Sequence, residues 1–137
     1  MSYNPGSPIT VIKSLSSANI LALNTTPFTL VPEQGAGTII IPVSAIMIYT
    51  FGTIAYAAGT LRLIENSTPA IGAAIMTNAT GINLIAGSYN GNFIPSIVLG
   101  TATSIQTNQA LQLYSGTAVT LGDGTMKIIV TYVVVTP

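Results

Sequence analysis

Residues 122–137 read Gly-Asp-Gly-Thr-Met-Lys-Ile-Ile-Val-Thr-Tyr-Val-Val-Val-Thr-Pro: a turn followed by the longest β-branched run in the chain. A strand with one face in water alternates apolar and polar residues. This one carries Met126, Ile128, Val130, Tyr132 and Val134 on one face, and Lys127, Ile129, Thr131, Val133 and Val135 on the other. Its later half is apolar on both. In a two-sheet sandwich only one strand face meets the core, so the second needs a cover, either a second subunit or a loop of the same chain roofing a central strand.

Upstream, the chain breaks into short β-branched segments punctuated by Gly, Pro and Asn, the pattern of an all-β fold. Strands are expected at 9–14, 20–23, 28–31, 38–43, 46–51, 61–64, 93–99, 110–114 and 126–135, enough for two facing sheets of an antiparallel β-sandwich, with no convincing amphipathic helix. Residues 71–78 fit a strand or a short helix, because Ala and Met favour helix while Pro69, Gly72 and Gly81 limit it. Asn90-Gly91 and Asp123-Gly124 can supply the positive φ of hairpin turns. Residues 1–8, with Pro5, Gly6 and Pro8, read as an irregular arm that reaches a neighbour, ahead of a single domain over 9–137. Leu21-x-Leu23 followed by Gly35-Ala-Gly-Thr-Ile-Ile-Ile is echoed by Leu111-x-Leu113 followed by Gly122-Asp-Gly-Thr-Met-Lys-Ile. Two such hairpins suit a jelly roll; a common Gly-x-Gly-Thr turn accounts for them equally well.

The composition restricts function sharply. The 137 residues hold no His, Cys or Trp, and six charged side chains, three of each sign. Charged residues make up about a quarter of an ordinary soluble domain, so a surface with 4 % charge points to one largely covered in an assembly. Lys13, Arg62 and Lys127 against Glu33, Glu65 and Asp123 leave no basic patch for phosphates, which argues against nucleic acid and anionic membranes. Apolar runs fall short of the roughly 20 residues of a spanning helix. Residues 1–8 lack the basic and apolar regions of a secretory leader.

Without histidine no base is at hand for a nucleophilic Ser or Thr, and neither lysine sits in a recognisable Ser-Lys arrangement. Glu33, Glu65 and Asp123 could in principle pair as glycosidase carboxylates, but each reads as a turn or strand-end residue; Asp123, between two glycines, is expected to bond nearby backbone amides. No enzymatic activity is expected. No calcium loop occurs, and Gly35-Ala36-Gly37 lacks the lysine and helix of a phosphate cradle, so neither metal nor cofactor is expected. Three glycosylation sequons, at Asn24, Asn66 and Asn78, are read as accidental in a chain rich in Asn and Thr. The tyrosines at 49, 56, 89, 114 and 132, with Phe51 and Phe93, fit core packing or subunit contact better than a sugar-stacking platform.

The segments Leu23-Asn-Thr-Thr-Pro-Phe-Thr-Leu-Val-Pro, Gly35-Ala-Gly-Thr-Ile-Ile-Ile, Asn108-Gln-Ala-Leu-Gln-Leu and Gly122-Asp-Gly-Thr-Met-Lys-Ile-Ile-Val-Thr-Tyr resemble small β-rich structural proteins of tailed bacteriophages. That resemblance implies a jelly-roll domain, a homotrimer, and a place on the virion as capsid decoration or cement protein, head fibre or tail knob. The reading it favours is cement: a trimer on the capsid surface, bound to the major capsid protein, with Tyr3, Pro5, Pro8, Ile129, Val133 and Val135 at oligomer or capsid contacts. The alternative is a fibre-tip or receptor-binding module presenting residues 77–92 to a host surface glycan.

Overall fold

The computed structural model of the chain describes residues 6–57, 59–65, 76–78, 87–95 and 107–137. In chain order the elements are β1 (Ile9–Leu15), α1 (Ser17–Leu21), β2 (Phe28–Val31), β3 (Ile39–Thr50), β4 (Leu61–Glu65), β5 (Met76–Asn78), β6 (Tyr89–Pro95), β7 (Leu111–Ser115) and β8 (Thr125–Val135). The strands form a continuous antiparallel ladder in the order β1-β8-β3-β6-β5-β4-β7-β2. Its pairings are nested: β1 with β8, β2 with β7, β3 with β6 and β4 with β5. The ladder divides into two halves, β1-β8-β3-β6 and β5-β4-β7-β2, joined at β5 and β6. This is an all-β antiparallel sandwich, as the strand pattern predicts.

One apolar cluster lies between the halves. Leu15, Met47, Tyr49, Ile128 and Val130 come from the first half, and Leu30, Leu61, Leu63, Leu111 and Leu113 from the second. Each such side chain contributes roughly 1.5–3 kcal/mol when fully removed from water. On β8, Met126, Ile128, Val130 and Tyr132 are buried, the face that the alternation assigns to the core.

Several elements depart from the sequence reading for local reasons. The strands expected at 38–43 and 46–51 are one strand, β3. Pro42 has no N–H for the ladder, and a bulge between Pro42 and Ser44 skips Val43 before pairing with β8 resumes at Thr131. Residues 20–23 are not a strand, since a capping box opens α1 here. The Ser16 Oγ accepts from the Asn19 amide (3.3 Å), and the Asn19 Oδ1 accepts from the Ser16 amide (3.0 Å). Asn90-Gly91 makes no turn; it lies inside β6, where Asn90 pairs with Ile48 and Gly91 with Met47, so sheet pairing overrides a turn dipeptide. The strand expected at 93–99 begins earlier, at Tyr89; its residues 96–99 lie outside the described set. Within 71–78, Met76–Asn78 is strand and the rest lies outside that set.

Asp123-Gly124 is not a hairpin turn either, because β8 pairs with β1 and β3 and not with β7. The positive φ falls on Leu121 (57°) and Gly122 (93°) instead. The Gly-x-Gly-Thr echo does have a structural counterpart, in that its two copies lead into β3 and β8, which pair side by side. Its upstream halves do not correspond, since Leu21 ends α1 while Leu111 and Leu113 belong to β7.

The start of β8 is held tightly. The buried Tyr56 hydroxyl donates to the Gly124 carbonyl (2.6 Å), and a Cβ on Gly124 would lie 2.7 Å from both the Thr50 carbonyl oxygen and the Tyr49 ring. Gly124→Ala is therefore expected to destabilise the fold by about 1–3 kcal/mol through overpacking against backbone. Urea unfolding of the two proteins measures this, and an unchanged midpoint would show that the corner yields.

Candidate interaction surface

The candidate interaction surface is the outer face of β1, β8 and β3. Val11 and Leu15 of β1, Ile128 and Val130 of β8, and Ala45 and Met47 of β3 belong to or pack on the core, so the intervening residues face outward. Register aligns them in rows across the three strands. One row is Ile12, Ile129 and Ile46; the next is Thr10, Thr131 and Ser44; beyond it Val133 lies beside Ile41. On the other side stands Ser14, Lys127 and Ile48. Ile12 is 61 % exposed, Val43 in the bulge 57 %, and Ile46 and Ile41 37 % each. Thr10 and Thr131 share a hydrogen bond between their hydroxyls (2.9 Å). A groove of about 600 Å³ continues the face past Lys127, between Ser14, Ile48, Thr50 and Thr125.

Of the residues singled out from sequence, Ile129 and Val133 lie in this face, half-buried. Val135 does not extend it: at 7 % exposure it is covered by its own chain, and the outward apolar stripe of β8 ends at Val133. Pro8 is exposed just ahead of β1. The arm is not wholly detached, because the Gly6 amide donates to the Val134 carbonyl (3.4 Å) and lays the chain along its own β8. Tyr3 and Pro5 lie outside the described residues. Ile12, Ile41, Val43 and Ile46 were not singled out from sequence. Each sits in a segment that reads simply as strand, and only the register with β8 reveals their common face.

The opposite outer face differs in chemistry. There Thr29, Gln112, Tyr114 and Arg62 occupy the outward positions of β2, β7 and β4, with Gln112 donating to the Thr29 hydroxyl (3.2 Å); Ile64, in the same alternation, is buried. The aromatic residues form no stacking platform among the described side chains. Tyr49, Tyr56, Phe93 and Tyr132 are core residues, and Tyr49 and Tyr56 lie ring to ring at 6.1 Å. Of the loop 77–92 considered for glycan presentation, residues 77–78 and 89–92 are in β5 and β6, and 79–86 lie outside the described residues.

Asp123 is a structural anchor. Its carboxylate accepts from the amides of Thr53 (2.7 Å) and Ile54 (2.8 Å) and from the Thr53 hydroxyl. These partners are not the nearby amides that the sequence leads one to expect. They lie about 70 residues away, in the loop after β3, so the side chain ties two loops together. The Thr53 hydroxyl first, then the two amides, hold the Asp123 carboxyl below the ordinary value. Burial, with smaller contributions from Tyr49 and Asp123, pushes the Tyr56 hydroxyl up to about 12, so it stays a protonated donor to Gly124. Among the described residues no cluster of three or more acids could hold a metal ion, and no helix is long and apolar enough to cross a membrane.

Comparison of the chain with protein-family models, curated proteins and solved structures finds no match.

A carboxylate with a depressed folded pKa contributes stability that is fully present above its unfolded value, near 3.8, and is lost as pH falls through the folded value. Asp123→Asn is thus expected to melt lower than the parent at neutral pH, with a smaller further loss on acidification. Thermal melts from about pH 7 down to about pH 2 test this, and parallel curves for the two proteins would refute the anchor's ionic character.

Proposed function

We propose that the chain is a structural protein of a phage virion, a capsid decoration or cement protein that sits on the outer shell as a homotrimer and holds neighbouring copies of the major capsid protein together. The observation that carries this reading is the apolar outer face of β1, β8 and β3 on a chain with almost no charge. The exposed isoleucines Ile12, Ile46 and Ile41, with Val43 in the bulge, are apolar surface that a protein partner would cover. The nested strand pairing supports a jelly-roll winding, in which a long hairpin is rolled so that first and last strands meet. The resemblance of the Gly-rich turns and strand openings to small phage structural proteins points the same way.

The mechanism is mechanical. A subunit that binds the assembled lattice more tightly than the loosened one stabilises the lattice by mass action. Contacts without charge keep their strength across changing salt, because there is little field to screen. In this reading the Pro- and Gly-rich arm at residues 1–8 reaches the shell. No catalytic step is involved.

The test is the copy number of this chain in purified virions relative to the major shell protein. A number comparable to the shell protein is expected. A handful per particle would instead favour a fibre-tip or receptor-binding module, and absence from particles would overturn the structural role. Deleting residues 1–8 is expected to lower occupancy, and unchanged occupancy would remove the arm from the mechanism.

A further inference from the structure

We infer that the outer face of β1, β8 and β3 is where copies of this chain meet one another, around a shared symmetry axis, leaving the Thr29, Gln112, Tyr114 and Arg62 face turned away from the assembly. The inference rests on the trimer reading above and assigns it a surface.

Beside a symmetry axis a side chain meets its own equivalent from the next copy, whereas farther from a three-fold axis one patch meets a different one, so the chemistry of a row decides whether it can line the axis. Like charges brought together in this way repel, and carboxylates face only acceptors. Isoleucine against isoleucine satisfies both partners, and so does hydroxyl against hydroxyl, because each hydroxyl can donate and accept. The face is built from these two types. Ile12, Ile129 and Ile46 make an apolar row, and Thr10, Thr131 and Ser44 make the hydroxyl row beside it. Lys127 is the single charge on the outward positions of these three strands. It stands in the bordering row, where a flexible stem can carry its ammonium to the rim. A row of either type can therefore line the axis without leaving a buried charge or a one-sided donor. Among the described residues the opposite face has no exposed apolar row for a second copy to cover, since its outward residues are Thr29, Gln112, Tyr114 and Arg62.

The two sheet edges support the same assignment. β2 is short, is interrupted by a register shift between Thr29 and Val31, and is flanked by Pro27 and Pro32, features that discourage edge pairing. β1 pairs in unbroken register from Ile9 to Leu15, contains no proline, and among the described residues has β8 as its single strand partner. The better edge for a second copy thus borders the outer face of β1, β8 and β3.

The experiment is light scattering of the purified full chain over a range of concentrations, on the parent and two double variants. Ile12→Lys with Ile46→Lys places like charges on the face, and Thr29→Lys with Ala118→Lys adds the same charge at exposed positions elsewhere. The parent and the second variant are expected to assemble, and the first to dissociate at concentrations at least about tenfold higher than the parent. Circular dichroism checks that each is folded. Should the first variant fail to fold, Thr131→Cys serves in its place. The chain has no native cysteine, so mild oxidation is expected to join two copies through that row. A monomeric parent, equal dissociation of both lysine variants, or an assembled Thr131→Cys protein that does not crosslink would each overturn the inference. A monomeric parent found at shell-protein copy number in virions would end this assignment while leaving the cement role in place.

Discussion

β8 lies between two neighbours, with β1 along one edge and β3 along the other, and both of its faces carry apolar side chains that water solvates poorly. The inner face is accommodated within the chain. Met126, Ile128, Val130 and Tyr132 belong to the same buried cluster as Leu61 and Leu63 of β4 and Leu111 and Leu113 of β7. The outer face is not, and the exposed isoleucines of β1 and β3 extend it sideways. The architecture of the described residues follows from giving this strand its inner cover, and the proposed assembly follows from the need to give it an outer one.

Where β8 begins, geometry is enforced by groups that work together. Asp123 binds the amides after β3, Tyr56 binds the Gly124 carbonyl, and Gly122 and Gly124 leave room where a side chain would strike Tyr56 or Tyr49. The consequence is positional, since these contacts fix where β8 enters the sheet beside Thr50, the last residue of β3. From there the register carries Ile129 to Ile46 and Val133 to Ile41. An acid in a chain with so few of them is thus used to set the register of the strand on which the surface depends.

Much of the fold is legible in the residues themselves. The alternation of β8 identifies its core face, β2 falls where Phe28 to Val31 places it, and the absence of histidine and cysteine removes whole classes of chemistry. What escapes reading is non-local. Pro42 looks like a break between two strands, yet a bulge absorbs it, and whether that happens depends on β8 being present as a partner. Asn90-Gly91 has every property of a turn and is instead held straight by β3. Ser16 and Asn19 do carry a capping signal, but it is brief beside the apolar residues that follow. The surface is half legible for the same reason. Ile129 and Val133 stand out on the strand that shows the anomaly, whereas Ile12 and Ile46 acquire meaning once the pairing partners are known. Val135 is misplaced by simple alternation because its own chain covers the end of β8.

The proposed assembly requires that the outer face of β1, β8 and β3 be covered by protein. Hydroxyl-radical footprinting of the assembled particle, read at Ile12, Ile46 and Ile129 and compared with the dissociated chain, tests it most directly. Strong protection at these isoleucines is expected on assembly, while Thr29 and Gln112 on the opposite face keep their reactivity. Equal oxidation of Ile12 and Ile46 in both states, or protection confined to the opposite face, would contradict it.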